Sequence, residues 1–381
     1  MLELKDKTAC CGCQACLEAC PAKCISMVPD DEGFLYPKIN QADCIDCHLC
    51  EKVCPQLNAR PLDQPDTPLT CYAAISQDIS IRLQSSSGGV FSLLADSVLK
   101  RGGVVFGARF DDNFLVFHSF TETEEGLSPF RGSKYVQSDL RGAYSQVRSF
   151  LKEKRPVLFT GTPCQIAGLR SFLHNKEDEK LYLVSIVCHG APSPRIWKDY
   201  LDAVTSGVTP TSVNMRNKDN GWGEYRIVVQ KDGHDALNVQ ALDTVYMKAF
   251  LSNLTLRPSC YSCPFRGNHG SDLTLGDYWG IENVHPEMTD DKGTSLVLVY
   301  TQKGKQLLER ADLFLQESQY EDALKGNPSI IHPSWKPAER DLFWRSYKRR
   351  GLQALGSFTT INTRTKLRNL WARLLRKIRK G

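Results

Sequence analysis

Two copies of one cysteine spacing stand near the start of the chain: Cys10, Cys13, Cys16 and Cys20-Pro21, then Cys44, Cys47, Cys50 and Cys54-Pro55. C-x2-C-x2-C-x3-C-P is the thiolate arrangement that holds 4Fe-4S clusters in two-cluster bacterial ferredoxins. Three thiolates two residues apart in a tight loop wrap three corners of one cuboidal cluster. The fourth lies a helical turn further on and serves the other cluster. Cys10, Cys13, Cys16 and Cys54 are therefore expected at one cluster, and Cys44, Cys47, Cys50 and Cys20 at the second. A disulfide scaffold or a pair of zinc sites is the plainer reading of many cysteines, but neither calls for this spacing twice. This segment is expected to handle electrons.

Seven of the fifteen cysteines remain. Cys11 and Cys24 do not fit the ligand pattern, and Cys24 is expected to pack as a small residue against a cluster. Cys71 opens an apolar stretch and reads as core. Cys164 follows Gly161-Thr162-Pro163 at a strand-to-helix turn, where amide dipoles favour a thiolate or an anionic cluster. Cys188 ends the apolar run 181–187 and precedes His189. If 157–159 and 181–187 are neighbouring parallel strands, both cysteines emerge at carboxyl ends, where open α/β sheets place their sites. Cys260-x2-Cys263 adds a chelate spacing without a nearby second pair. Either these four hold a third cluster, or Cys164 and Cys188 are small buried residues. Ser85-Ser86-Ser87-Gly88-Gly89 before a helix is a place for a phosphate or simply a helix cap, and Gly161-Thr162 is a second turn of that kind. Clusters carry one electron each, so phosphate-type turns in a long attached domain suggest a flavin. His189 is a candidate proton donor or a structural histidine. Arg216, Lys218 and Trp222 are candidates for a substrate rim.

The elements that must position these residues follow from patterning. At 381 residues the chain suggests two or three domains. Residues 1–56 form the cysteine-rich domain, with a hairpin turning at Asp30-Asp31-Glu32-Gly33 between the two motifs. Residues 57–70, with three prolines, read as a linker. From 71 to 335, helices at 88–101, 140–152 and 165–173 alternate with strands at 104–108, 157–160 and 181–187, and shorter strands follow at 225–230 and 295–301. The expected fold class is α+β and α/β, with a ferredoxin-like two-cluster domain ahead of a mixed-sheet domain for which flavin and cluster binding are the candidate roles.

The net charge of +5 is misleading. Of the 48 Lys and Arg, eight lie in 364–381 with no acid among them, leaving 40 against 43 Asp and Glu. No nucleic-acid partner is expected for the body. Residues 336–381 read as a helical region whose tail alternates Leu367, Leu370, Trp371, Leu374, Leu375 and Ile378 with cations. Such a helix suits an anionic membrane surface, or docks on its own body or on a partner. No apolar leader precedes Cys10 and no run of about 18 apolar residues occurs. A cytoplasmic protein is expected, with the tail able to rest on the inner face of the membrane.

Ser-Ser-Gly-Gly before a helix, Gly132-Ser133-Lys134-Tyr135-Val136, Gly161-Thr162-Pro163-Cys164-Gln165, Cys188-His189-Gly190-Ala191-Pro192-Ser193-Pro194, Cys260-x2-Cys263 and Leu275-Gly276-Asp277-Tyr278-Trp279-Gly280 occur in this order. Together they resemble the beta subunits of coenzyme F420 hydrogenases and dehydrogenases over roughly residues 70–335. That family also contains chlorophyll reductases and bacterial proteins from surface-polysaccharide gene neighbourhoods, and the fused module and basic tail look most like the latter branch. The resemblance implies FAD, with Ser86, Ser87, Gly88, Gly89, Ser133, Lys134, Gly161 and Thr162 as contacts. It also implies a third 4Fe-4S cluster on Cys164, Cys188, Cys260 and Cys263. The implied function is an oxidoreductase that takes electrons from reduced ferredoxin or a similar donor and passes them to FAD and a small-molecule acceptor. Its rivals are a non-catalytic relay subunit and a cluster-binding accessory protein of surface-polysaccharide biosynthesis.

Overall fold

The cysteine motifs flank a hairpin, Ile25–Pro29 (β1) and Leu35–Ile39 (β2), with Ile25 opposite Ile39. The computed structural model describes residues 4–58, 67–267 and 270–359, so the basic tail and part of the linker lie outside the described residues. The Asp30 carboxylate closes the hairpin turn by accepting from the Glu32 and Phe34 amides at 3.0 and 2.9 Å. Short helices Ala15–Ala19 (α1) and Leu49–Lys52 (α2) follow the two cysteine loops.

The body is built on strands Thr70–Ser76 (β3), Val104–Phe110 (β4), Val116–Thr121 (β5), Val157–Gly161 (β6) and Leu181–Ile186 (β7). A separate antiparallel sheet consists of Ser212–Asn217 (β8), Arg226–Lys231 (β9) and His234–Gln240 (β10). Leu273–Asp277 (β11), Ser295–Val299 (β12) and Leu313–Ser318 (β13) return to the first sheet, whose order is β13-β3-β12-β11-β7-β6-β4-β5. Its centre, β4, β6, β7 and β11, is parallel, and both flanks are antiparallel. The expected parallel pairing of 157–159 with 181–187 is present, Phe159 opposite Leu183. The sheet is mixed, as the sequence suggested.

The helices are Ile79–Gln84 (α3), Val90–Leu99 (α4), Ala143–Lys152 (α5), Pro163–Phe172 (α6), Pro194–Thr205 (α7), Val245–Leu251 (α8), Gln302–Glu309 (α9), Tyr320–Gly326 (α10), Arg340–Arg350 (α11) and Gln353–Thr359 (α12). Strand periodicity explains the layers. Val104, Phe106, Val157, Phe159, Leu181 and Leu183 face one side and pack with α5 and α6. Val105, Leu158, Tyr182 and Val184 face the other, with Leu94, Val98 and Leu307 of α4 and α9. Both faces are covered, so these strands read as continuous apolar runs rather than alternating ones.

The cysteine-rich segment is not an appendage. Cys11, Cys13, Ala15 and Val53 belong to the same buried cluster as Tyr144, Phe159 and Leu169. Glu18 on α1 accepts from the Ser145 amide at 2.7 Å and so caps the start of α5 from outside. Gly168 on α6 permits the close approach: a Cβ there would lie 2.8 Å from the Cys13 Cβ. Helices α11 and α12 share a core with α7 and α8 through Phe343, Tyr347, Leu355, Trp197 and Tyr246.

Candidate functional site

The loops set three groups of thiols. Cys20, Cys24, Cys44, Cys47 and Cys50 line one small cavity under the hairpin. Within it the Cys20 and Cys24 sulfurs lie 3.4 Å apart. Hydrogen bonding with Cys20, then burial, pushes the Cys24 thiol up to about 12. Burial opposes ionisation of Cys20, yet the hydrogen bond with Cys24 and local amides leave its pKa lowered. Cys24 thus lies directly against Cys20 in the same cavity. Cys47 is exposed and Ile45 is 66% exposed, so this group lies at the surface.

In the second group, Cys16 is pushed up to about 12 by burial and then by the charges of Cys10 and Cys54. Cys13 feels Cys16 and Cys54 in the same way, after its hydrogen bond with Cys11 and its burial. Cys10, Cys13, Cys16 and Cys54 are therefore neighbours, although Cys54 comes from the second motif.

The third group comes from three separate parts of the chain. Cys164 sits at the second position of α6, and Cys188 follows β7, the strand beside β6. Cys260 and Cys263 come from a short 3-10 turn at Pro258–Ser262, and the Ala191 amide donates to the Cys260 sulfur at 3.3 Å. Arg266 ties the two loops by donating to the carbonyls of Cys188 and His189. Burial holds the Cys188 thiol well above its usual range, and Cys260, Cys164 and Cys263 add to it. Burial likewise pushes Cys260 up to about 12, with Cys164 and Cys263 contributing. Such thiols ionise only when a metal takes up their charge, which is the chemistry of a cluster cradle. Among the described residues, no three His, Cys, Asp or Glu side chains meet closely enough for a single metal ion. A cubane spreads its ligands over its corners and does not need that closeness.

Beside the third group opens a cavity of about 620 Å³ lined by Cys164 and Cys188 and by most of the residues expected at a flavin. Ser86 and Ser133 meet across it at 2.9 Å, and Ser87, Gly89, Lys134, Gly161 and Thr162 also line it. Its size suits an organic cofactor. Two of the expected contacts are placed differently from the rest. Gly88 does not line the cavity; its absent side chain lets the loop press on β3, since a Cβ would lie 2.1 Å from the Ala74 carbonyl oxygen. The Thr162 amide is already taken by Gln165 Oε1 at 2.9 Å, so that turn offers one amide fewer to a phosphate.

Lys134 Nζ donates to the carbonyls of Pro129 and Arg131, both at 2.8 Å. Burial pushes its pKa down to about 7, with the charge of Arg109 adding to this. A half-buried ammonium of this kind is stabilised by an anion, and its third donor is available for one. Nε2 of His189 is held by Asn253 Oδ1 at 2.6 Å, and burial lowers its pKa despite that bond. That bond occupies Nε2, which leaves Nδ1 as the ring's other donor position. Arg216 pairs with Asp277 at 2.7 Å and lies 3.8 Å above the Tyr225 ring, while its buried Nε has no partner among the described residues. Trp222 stacks on Trp279 at 4.7 Å. Arg216 and Trp279 line the cavity and Trp222 backs it, whereas Lys218 is spent on the carbonyls of Arg82, Ser87 and Lys292.

Sequence reasoning left Cys11 without a role. Its thiol touches those of both Cys13 and Cys164, so it stands between the second and third groups. No local spacing could reveal a contact across 153 residues of chain.

Residues 154–322 match the family model for the C terminus of the coenzyme F420 hydrogenase/dehydrogenase beta subunit, and residues 9–58 match a 4Fe-4S dicluster domain. A ferredoxin from Mycolicibacterium smegmatis is 32% identical over 87 residues, which are 23% of this chain and 71% of that protein. A chain of the F420-reducing NiFe hydrogenase complex from Methanosarcina barkeri superposes with a TM-score of 0.49 at 17% identity, covering 71% of this chain and 93% of that one.

Proposed function

We propose that this chain, whose residues 154–322 match the C-terminal region of coenzyme F420 hydrogenase/dehydrogenase beta subunits and whose residues 9–58 match a 4Fe-4S dicluster domain, is an iron–sulfur flavoprotein oxidoreductase of that family. It would take electrons from a low-potential, ferredoxin-like donor and deliver them to an organic acceptor. The observation that supports this best is the grouping of Cys164, Cys188, Cys260 and Cys263 beside a cavity of about 620 Å³ whose wall includes Cys164 and Cys188, with Cys11 lying between them and the ferredoxin cysteines.

When bound, 4Fe-4S clusters carry single electrons and a flavin exchanges one or two. The chain supplies their places. Cys20, Cys44, Cys47 and Cys50 would hold the surface cluster, and Cys10, Cys13, Cys16 and Cys54 the inner one. Cys164, Cys188, Cys260 and Cys263 would hold the third. Ser86, Ser87, Gly89, Ser133, Gly161 and Thr162 would bind FAD, with Lys134 as the cation. The exposed edge at Ile45 and Cys47 is where a donor would dock. The Arg216, Asp277 and Trp279 end of the cavity is where the acceptor would lie. Among the described residues no helix is long and apolar enough to cross a membrane, and we place the protein in the cytoplasm.

Anaerobic purification with iron, sulfide and flavin counts tests this reading. About twelve irons and about one FAD per chain are expected. A count near eight irons removes the third cluster, and clusters without flavin after anaerobic reconstitution leave only the relay role.

A further inference from the structure

The seam between the cysteine-rich segment and the sheet contains a full positive charge with no carboxylate beside it. Arg257, three residues ahead of Cys260, is 1% exposed. Its Nε donates to the Cys10 carbonyl at 2.7 Å, and Nη1 donates to Gln137 Oε1 at 3.1 Å. Nη2 donates to the Leu35 carbonyl at 2.9 Å and to the Cys10 sulfur at 3.4 Å. The guanidinium lies 4.2 Å from the centre of the Tyr36 ring. Among the described residues no Asp or Glu pairs with it. Burial disfavours its charge, and the groups that offset burial are Cys10, then Tyr36, Cys11 and Cys260. Its charge also eases ionisation at Cys164.

A guanidinium does not shed its proton, and a buried charge is tolerated only when it is compensated. Carbonyl oxygens solvate it but do not neutralise it. The compensating charge must come from the thiolate groups on either side. The surface group differs: no Lys or Arg lines its cavity, and Asp46 does.

We propose that Arg257 is the counter-charge of the cluster on Cys10, Cys13, Cys16 and Cys54, and that it makes this cluster easier to reduce than the one on Cys20, Cys44, Cys47 and Cys50. The inference rests on the cluster assignment given above. One-electron reduction adds a negative charge to a 4Fe-4S centre, so a fixed cation and an N–H donor to a ligand sulfur stabilise the reduced form more than the oxidised one. Arg257 thereby sets a downhill direction, from the exposed edge inward to the seam. Its position beside Cys260 and Cys164 extends the same field to the third group.

The experiment is a dithionite titration followed by electron paramagnetic resonance, on the full chain purified anaerobically. Cys16→Ser identifies which signal belongs to the inner cluster. Arg257→Gln should shift that cluster's reduction equilibrium by about tenfold toward the oxidised form, ~59 mV for one electron, and leave the surface cluster unmoved. Gln137→Glu places a carboxylate against Nη1 while keeping the guanidinium packed, and should shift the same signal in the same direction. Full iron with an unmoved inner potential in both variants overturns the proposal. If Arg257→Gln loses iron, Gln137→Glu decides alone. If the wild-type chain binds no cluster that Cys16→Ser removes, the cluster assignment itself has failed, which the iron count reports separately.

Discussion

At the scale of single residues, ligand cysteines separate from bystanders by what their removal does. Cys260→Ser should lower anaerobic iron by about a third and leave the signals of the N-terminal clusters intact, because those cysteines form groups of their own. Cys11→Ser should keep the full count, because Cys11 falls outside the ligand spacing. Loss of iron in that variant would make Cys11 a ligand. His118 gives a pH signature. Its Nδ1 and Nε2 are bound to Ser138 Oγ at 2.6 Å and to the Thr160 carbonyl at 3.0 Å, and burial pushes its pKa down to about 4 from 6.5. As pH falls, the unfolded chain takes up this proton first. The stability from a neutral His118 is therefore complete above pH 6.5 and lost as pH falls toward 4, about 3 kcal/mol in all. Urea unfolding at pH 7 and near 4.5 should show a smaller loss for His118→Gln than for the native chain.

At the scale of elements, the sequence was most legible where one period dominated. The apolar runs 104–108, 157–160 and 181–187 are strands β4, β6 and β7, and the helices between them start and end within a few residues of the reading. The turn at Asp30 was legible because its residue types dictate local hydrogen bonds. Interlocking of the two domains was not legible. Arg257 finds Cys10 across 247 residues, Glu18 caps a helix across 127, and neither leaves a local pattern. Gly168 shows how such contacts can be tested. Alanine there would improve helix propensity by about 1 kcal/mol. The added Cβ would also lie 2.7 Å from the Tyr144 hydroxyl and 2.8 Å from the Cys13 Cβ. Tyr144 is fixed by its bond to the Gln165 carbonyl at 2.8 Å, so it cannot give way, and overpacking costs ~1–3 kcal/mol. Gly168→Ala should therefore destabilise the fold and alter the spectrum of the inner N-terminal cluster alone. A stabilised protein with unchanged spectra would show that α6 does not press on that loop.

At the scale of the whole molecule, two ends of the chain bear on where and how it works. The basic tail lies outside the described residues, and its sequence suits an anionic surface; deleting 364–381 should abolish binding to anionic vesicles at low salt without changing bound iron. A full-length chain that ignores such vesicles would assign the tail elsewhere. The N-terminal hairpin, in contrast, is clamped. Arg340 of α11 donates to both Glu32 oxygens, to the Tyr261 hydroxyl at 2.8 Å and to the Leu256 carbonyl at 2.8 Å. Arg195 of α7 holds the Asp31 carbonyl at 2.9 Å. Burial raises the pKa of Glu32 even against the pull of Arg340, so ionising this pair in place is costly. Breaking it from one side strands a buried charge, at about 3–5 kcal/mol, whereas replacing both partners removes the desolvation cost along with the attraction. Arg340→Ala should therefore lower stability strongly and make the hairpin the first site of proteolysis. Arg340→Met combined with Glu32→Gln should recover most of that loss. If the double variant is as unstable as the single one, the charge pair is not what fastens the ferredoxin domain. The backbone contacts of Arg195 and Arg340 would then carry the docking that keeps Cys11 against Cys164.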